Sequence, residues 1–395
     1  MWLSEFDLVL PDRVVPNGAV RIEDGRIAEV REGPVAEAAI RGGGRLLMPG
    51  FIDIHGDMVE REVEPRPGVR MPLELSILEH DKKLAATGVT TAYASLSFSP
   101  NSPITGKVRT EETTRGIIEA IVGMRDELLV DHRIHARFEV TFPRAAEVVQ
   151  DLMRRGAVDL VSLMDHTPGQ GQYRDIEKYA AFMANARGIS VENAHTQVRK
   201  RISDGLAAAG TTTATITAMT AIAAEHGIAI ASHDDDTADK VALMRDFGAG
   251  ISEFPVTIEA AREAKRRGMW TAMGAPNALR GVSYSGNLSA RELYEMGMLD
   301  ILAADYHPPA ILPSILLLAD LRGGLPEAAA LASLNPARAA GLHDRGAIAP
   351  GLRADLVVAD HAPRPRLRAT FSAGRMVYGD GTLAVAPQGA PALAL

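Results

Sequence analysis

The feature that most constrains the fold is a regular alternation between apolar runs of strand length and longer stretches with helical periodicity. Glycine stands near the end of most of the helical stretches, where it can close a helix. Eight strands that alternate with helices predict a TIM barrel, the (β/α)8 member of the α/β class. The apolar runs cover residues 50–55, 89–96, 134–140, 158–166, 228–233, 251–256, 270–276 and 300–307.

A doubly wound open sheet would show the same alternation and is the alternative fold. The pattern Gly-x-Gly-x-x-Gly follows none of the early runs, which disfavours a dinucleotide-binding sheet. The expected helices between the strands span residues 74–86, 110–128, 144–155, 239–247, 257–267 and 290–296.

One connection is much longer than a usual βα crossover. It runs from His166 to Ile228 and contains two further helical patterns, at 191–202 and 214–226. We expect this excursion to lie over the mouth of the barrel, where it would form a lid or a wall of the substrate site.

The two ends of the chain have a different pattern from the middle. Short alternating segments at 6–10, 19–22 and 26–30 resemble those at 355–359, 366–373 and 376–378, and Asp24-Gly25 is typical of a hairpin turn. We therefore predict a small β-sandwich domain built from residues 1–50 and 344–395, with the barrel, residues 51–343, inserted between its halves.

Composition narrows the class of protein. The 395 residues are 46% hydrophobic and 23% charged, which is typical of a soluble globular chain. A net charge of −8 gives no basic footprint for nucleic acid, and the absence of cysteine excludes disulfides and thiolate ligands. Residues 1–7 lack the pattern of a signal peptide, and no 18 apolar residues follow one another, so we expect no membrane segment and a cytoplasmic location.

Metal-binding side chains recur where the predicted strands end. In a βα barrel these ends meet at the active-site mouth, and His, Asp and Glu are the ligands available to a chain without cysteine. Glu139 lies within the apolar run 136–140. Its carboxylate there indicates a partner or a metal ion, because an unpaired buried charge costs several kcal/mol. The candidate metal ligands are His55, Asp57, Glu139, His166, His233 and Asp305.

Each of these residues has a purely structural alternative. A single histidine after a strand is more often a hydrogen-bonded core residue than a ligand, and a single carboxylate is often a cap. Their recurrence at the same end of several strands favours metal binding. The other histidines, His80, His132, His135, His195, His226, His343 and His361, are interpreted as structural or without a motif.

The segment after the seventh strand is rich in small and hydroxyl-bearing residues around one arginine. Residues 274–287 include Asn277 and Arg280, and backbone N–H groups with a guanidinium could bind an oxyanion or phosphate. An ordinary glycine-rich loop is the equal alternative. Arg61, Arg66 and Arg70 after the first strand form a second cationic set.

Several motifs resemble one known superfamily. Residues 48–55, Met-Pro-Gly-Phe-Ile-Asp-Ile-His, look like the first-strand signature of the amidohydrolase superfamily, and residues 346–357 resemble the return of such chains into their small domain. Within it, the chain is similar to the PhnM family of the carbon–phosphorus lyase pathway. The matching stretches are 55–57 with Glu60, 64–67, 164–170, 231–235, 253–255, 273–277 and 285–287.

The resemblance implies a specific reaction. PhnM proteins hydrolyse α-D-ribose 1-methylphosphonate 5-triphosphate to the 5-phosphate and diphosphate, and they share Asp57 where most of the superfamily has histidine. It implies one or two divalent ions, Zn²⁺ first and Mn²⁺ or Fe²⁺ as alternatives, with Asp305 also as the general base. A phosphorylated sugar would be the partner, and we expect a homo-oligomer. The expected substrate contacts are Arg66, Asn277, Arg280, Tyr306 and His307.

Two other functions stay open at this point. An amidohydrolase acting on C–N bonds, such as a cyclic amidase, deacetylase or dihydroorotase, would use the same metal chemistry. Asp57 and the arginine-rich mouth disfavour it. A non-catalytic relative that keeps the barrel as a scaffold is disfavoured because the full set of candidate ligands is present. By the strand count Glu139 lies on the third strand, whereas many superfamily members carry a bridging group on the fourth.

Overall fold

Strands from both ends of the chain form one sheet. The computed structural model describes residues 1–99, 110–283 and 286–385. Within them the sheet order is β15-β14-β13-β4-β1-β2-β3, with β16 against β4. These strands are β1 Trp2–Val9, β2 Val14–Glu23, β3 Arg26–Arg31, β4 Ile40–Pro49, β13 Leu356–Asp360, β14 Arg366–Ser372, β15 Arg375–Gly379 and β16 Ala384–Val385.

A second sheet, of eight strands in the described residues, forms the barrel. Its strands follow one another in chain order and each is parallel to the next. They are β5 Phe51–Gly56, β6 Val89–Phe98, β7 Asp131–Glu139, β8 Leu160–Met164, β9 Ala229–His233, β10 Ile251–Glu253, β11 Trp270–Gly274 and β12 Ile301–Ala303. The predicted TIM barrel is confirmed.

The barrel closes beside the first strand. The Asp305 amide donates to the His55 carbonyl at 2.8 Å, and the Asp57 amide donates to the Asp305 carbonyl at 2.9 Å. This bridge brings the ends of the first and eighth strands together. Each predicted apolar run overlaps one barrel strand, and Glu139 ends the third of them, as the strand count predicted.

Burial explains why these segments are strands. All ten residues of β6 are buried, because a parallel strand is covered on one face by helices and on the other by the barrel interior. One core lies within the barrel around Ile54, Tyr93 and Ile251, and another holds the terminal sheet together around Phe6 and Phe371. Since β4 ends at Pro49 and β5 begins at Phe51, we propose the domain division predicted from the sequence.

Helices surround the barrel and overlap the predicted ones. Thr237 and Thr257 cap α7 and α8, each accepting a hydrogen bond from a backbone amide three residues on. The helices are α1 Val59–Val63, α2 Leu73–Ala86, α3 Glu111–Met124, α4 Ala146–Arg154, α5 Ile176–Arg187, α6 Val191–His226, α7 Ala238–Asp246, α8 Ile258–Arg266, α9 Ala275–Arg280, α10 Ala290–Glu295, α11 Ile311–Leu321, α12 Gly324–Ala330 and α13 Leu334–Ala339.

The long excursion consists of α5 and α6. The two patterns predicted at 191–202 and 214–226 belong to one helical segment, which bends by 63° between 191–207 and 209–226. No single helix in the described ranges has the length and apolarity needed to cross a membrane. The two arms of this bent segment pass that test together, on length and composition only.

Candidate metal and catalytic site

A cavity of about 290 Å³ opens at the carboxyl ends of the barrel strands. Residues from seven of the eight strands or the segments after them line it, so distant parts of the sequence converge on one space. Its lining includes His55, Asp57, Arg137, His233, Asp234, Asn277, Arg280, Asp305 and Tyr306.

The third barrel strand carries polar side chains on alternate residues. His135, Arg137 and Glu139 are two residues apart, so that their side chains share one face of β7. All three are buried, with Arg137 only 7% exposed. This face of β7 therefore supplies one wall of the site.

All three predicted ligand histidines have a carboxylate at Nδ1. The Nδ1 of His166 donates to Glu139 Oε2 at 2.7 Å. Glu253 lies between the other two, with Oε1 3.2 Å from His55 Nδ1 and Oε2 3.4 Å from His233 Nδ1. A carboxylate at Nδ1 fixes the ring and leaves Nε2 as the ligand atom, which is the usual arrangement behind a metal-binding histidine.

The Nε2 atoms of His166 and His233 converge on Asp234. Each lies 3.7 Å from Asp234 Oδ2. That oxygen is buried and makes no hydrogen bond to the described residues. Two imidazoles and a carboxylate at this spacing fit a divalent ion, and the orphaned oxygen supports that fit.

Backbone hydrogen bonds fix the position of Asp234. Its φ is 52°, an uncommon value for a residue other than glycine, and its amide donates to the Glu253 carbonyl at 2.9 Å. Lys240 Nζ donates to the carbonyls of His233 and Asp234, at 3.2 and 3.3 Å. The turn after β9 is therefore fixed from both sides.

His55, His135 and Glu253 form a second potential ligand group. His135 Nδ1 contacts Ser95 Oγ and the Ile54 carbonyl, both at 3.0 Å, and its Nε2 has no hydrogen-bond partner in the described residues. Burial lowers the pKa of His135 to about 3, so this imidazole is neutral. Burial would raise the pKa of Glu253, but its contacts with His55 and His233 hold it well below its ordinary value.

The predicted ligand Asp57 lies against an arginine in this structure. Arg137 Nη1 donates to both carboxylate oxygens of Asp57, at 2.8 and 3.0 Å. The other end of the guanidinium, Nη2, lies 3.4 Å from His233 Nε2. A buried cation thus stands between two of the residues predicted to bind metal.

Asp305 lies beside the end of the first barrel strand and next to Gly274. Its φ is 55°, and its two backbone hydrogen bonds to residues 55 and 57 fix its place. Burial raises the pKa of Asp305 to about 6. A carboxylate with this pKa can accept a proton near neutral pH.

The predicted substrate residues fall into two groups. Asn277, Arg280 and Tyr306 line the cavity, whereas Arg66 and His307 are exposed and are not among the described lining residues. The Asn277 amide bonds to the backbone, donating to Leu288 O at 3.1 Å and accepting from Ala290 N at 2.9 Å. Asn277 therefore holds the loop after α9. Ser285, part of the predicted motif at 285–287, lies outside the described residues.

Sequence reasoning missed four site residues: His135, Arg137, Asp234 and Glu253. The period of two along β7 could have identified the first two, because Glu139 had already marked the inward face. Asp234 could have been identified because it directly follows the predicted ligand His233. Glu253 had no such signal from periodicity, because β10 is only three residues long and shows no alternation, although Glu253 belongs to one of the matching motifs.

Comparisons with known proteins agree with this architecture. The amidohydrolase family pattern matches residues 46–379. Alpha-D-ribose 1-methylphosphonate 5-triphosphate diphosphatase of Escherichia coli (strain K12) is 35% identical over 370 residues, which are 91% of this chain and 95% of that protein.

Solved structures share the fold at low identity. The N-acetyl-D-glucosamine-6-phosphate deacetylase of Mycobacterium smegmatis superposes with a TM-score of 0.64 at 18% identity, over 96% of this chain and 100% of that one. The dihydropyrimidinase of Brevibacillus agri superposes with a TM-score of 0.62 at 11% identity, over 95% of this chain and 94% of that one. The chain belongs to the amidohydrolase superfamily and, within it, to the PhnM family.

Proposed function

We propose that the protein hydrolyses α-D-ribose 1-methylphosphonate 5-triphosphate to the 5-phosphate and diphosphate. The observation that carries this proposal is the 35% identity to the E. coli diphosphatase, which extends over 95% of that enzyme's length. The cavity supports it, because carboxylate-backed histidines and two arginines line one space.

His166, His233 and Asp234 would hold a divalent ion, with Glu139 and Glu253 orienting the two imidazoles. When bound, such an ion activates water and neutralises phosphate charge. Two nitrogen ligands and one carboxylate suit Zn²⁺, with Mn²⁺ or Fe²⁺ as alternatives. Elemental analysis of the purified protein identifies the ion.

Asp305 is the group best placed to accept a proton from the attacking water. It lies at the floor of the cavity, its backbone is fixed on both sides, and its carboxylate is largely shielded from bulk solvent. Removing this proton as water attacks phosphorus is general-base catalysis. Arg137 at the floor and Arg280 at the rim would then stabilise the negative charge of the phosphates.

Phosphorus NMR of the metal-loaded protein tests the proposal directly. The ribosyl methylphosphonate triphosphate should give diphosphate and a sugar 5-phosphate. ATP and GTP in parallel samples measure selectivity, and a panel of cyclic amides tests C–N hydrolysis. Turnover of an amide with an unchanged phosphorus spectrum would overturn the proposal in favour of the C–N hydrolase.

A further inference from the structure

The most unusual group in the cavity is Arg137, a buried arginine among predicted metal ligands. It is 7% exposed and comes from the inward face of β7. A guanidinium stays protonated at any physiological pH, so this side chain places a permanent positive charge at the cavity floor.

Nearby carboxylates stabilise the positive charge of Arg137. Asp57 accepts two hydrogen bonds from Nη1, at 2.8 and 3.0 Å, and carboxylates of Glu253 and Glu60 add favourable charge from further away. A buried cation requires such compensation, because desolvation penalises it strongly. Asp57 is thereby already neutralised by a cation of the protein itself.

The position of Arg137 has a consequence for metal binding. A second ion bound by His55 and Asp57 would have to displace the guanidinium from Asp57 and would then lie beside its charge. The group formed by His166, His233 and Asp234 does not use Asp57 at all. An ion at that group therefore leaves the pair of Arg137 with Asp57 intact. In the other potential group, His55, His135 and Glu253, the carboxylate of Glu253 is already hydrogen-bonded to His55 and His233.

The contact with His233 points to a second consequence. His233 Nε2 has one lone pair, which now faces Arg137 Nη2 at 3.4 Å. If that lone pair binds an ion, Nη2 loses its acceptor while Nη1 still holds Asp57. Arg137 lines the cavity, and its Nη2 can then donate to a bound group, because His233 no longer accepts from it.

We propose that Arg137 is the second cation of this site: it takes the place of a second metal ion at Asp57, and it donates to a phosphate oxygen of the substrate. The protein accordingly binds one divalent ion per chain. The phosphate contact rests on the proposed function, whereas the ion count does not.

Metal content measured without substrate tests the ion count. The full chain is loaded with Zn²⁺, freed of excess and analysed for zinc per chain, beside the matched carboxylate variants Asp57→Asn and Asp234→Asn. We expect one equivalent in the wild type and in Asp57→Asn, and loss of most of the zinc in Asp234→Asn. Two equivalents in the wild type, or loss of zinc in Asp57→Asn, would overturn the proposal.

Arg137→Met removes the charge but keeps most of the length of the side chain. We expect it to bind more than one equivalent of Zn²⁺, because His55 and Asp57 become available. A folded Arg137→Met variant that still binds one equivalent would contradict the exclusion of a second ion. If this variant does not fold, the two aspartate variants still decide the count.

Calorimetry with ribose 5-phosphate tests the phosphate contact, with each protein loaded with one equivalent of Zn²⁺ so that no second ion replaces the lost charge. Loss of a charge-assisted hydrogen bond predicts about 10- to 100-fold weaker binding by Arg137→Met. Arg137→Lys should recover part of the loss, and the exposed Arg144→Met should bind like the wild type. An unchanged affinity of Arg137→Met for ribose 5-phosphate would rule out the phosphate contact.

These results separate the inference from the proposed function. One ion per chain in a protein that leaves the ribosyl triphosphate intact would support the ion count and overturn the proposed function. Two ions per chain in an active diphosphatase would do the reverse.

Discussion

At the scale of single residues, Asp305 makes the most direct prediction. Asp305→Asn keeps the shape of the side chain but cannot accept the proton of the attacking water. We expect turnover to fall by about 10²- to 10⁴-fold, the usual contribution of a general base. Zinc content and the thermal unfolding midpoint should stay near those of the wild type. Turnover within a few-fold of the wild type would exclude Asp305 as the base.

His166 makes a prediction about the pH dependence of ion binding. Burial alone would lower the pKa of His166, but its contacts with Asp234 and Glu139 raise it to about 9. In the metal-free protein His166 is therefore protonated below that pH, and an ion must displace the proton. Zinc affinity should rise by about tenfold per pH unit between pH 7 and 8.5 and level off near pH 9.

Competition titrations with a chelating dye, each corrected for the pH dependence of the dye, measure this affinity. Calorimetry in two buffers of different ionisation enthalpy serves as the control, because it counts the protons released. An affinity that is constant from pH 7 to 8.5 would show that His166 is already neutral or does not bind the ion.

At the scale of secondary-structure elements, the end of β11 determines how Asp305 is placed. A Cβ at Gly274 would lie 3.0 Å from Asp305 Oδ2 and 3.4 Å from its Cβ, so the carboxylate must shift by a few tenths of an ångström. Gly274→Ala should therefore lower turnover by about tenfold, because catalytic groups tolerate little displacement. Zinc content should be unchanged.

Gly116→Ala is the matched control for this substitution. Gly116 lies inside α3, and the nearest described atom to its added Cβ is Leu73 Cδ1 at 3.7 Å. It should leave turnover unchanged and stabilise the protein by up to about 1 kcal/mol, the helix preference for Ala over Gly. If both variants lose turnover equally, the effect of Gly274→Ala is not specific to Asp305.

The elements also show which parts of this protein the sequence could predict. The barrel strands were predictable because parallel strands buried on both faces appear as continuous apolar runs. The fourth strand of the terminal sheet, β4, was not singled out, since Gly42, Gly43 and Gly44 interrupt its pattern and favour a turn assignment. Pairing with β1 and β13 on either side forms this strand in spite of its composition.

Ligand orientation was harder to predict than ligand position. The sequence placed Glu139 at the end of the third strand, but its role behind His166 depends on a turn 27 residues away. The pairing of Asp57 with Arg137 joins residues 80 apart and likewise has no local signal. Position along a strand follows from local periodicity, whereas partner choice depends on how the strands close into a barrel.

At the scale of the whole molecule, the proposed function assigns different roles to the two ends of the cavity. Asp305, His233 and Arg137 lie at the floor, where the strand ends fix them, whereas Arg280 is exposed at the rim on the segment after β11. Both groups line the same cavity. Chemistry at the floor and charge binding at the rim therefore fit one extended substrate.

This separation predicts which phosphorus atom is attacked. Attack at the γ phosphorus would release orthophosphate, whereas attack at the α or β phosphorus would release diphosphate. With Asp305 as the proposed base, the attacking water would lie beside it at the floor, and the attacked phosphorus would lie there as well. The distal phosphates then extend toward Arg280, which can stabilise diphosphate as the leaving group, and this orientation favours attack at the α phosphorus.

Hydrolysis in ¹⁸O-labelled water distinguishes these possibilities. Phosphorus NMR resolves the isotope shift, and we expect the label in the ribosyl 5-phosphate and not in diphosphate. A sample of the two products incubated with the protein in labelled water controls for later exchange. Label in diphosphate would mean attack at the β phosphorus. Orthophosphate as the first product would mean that the triphosphate binds in the opposite direction, with its γ phosphorus at the floor beside Asp305.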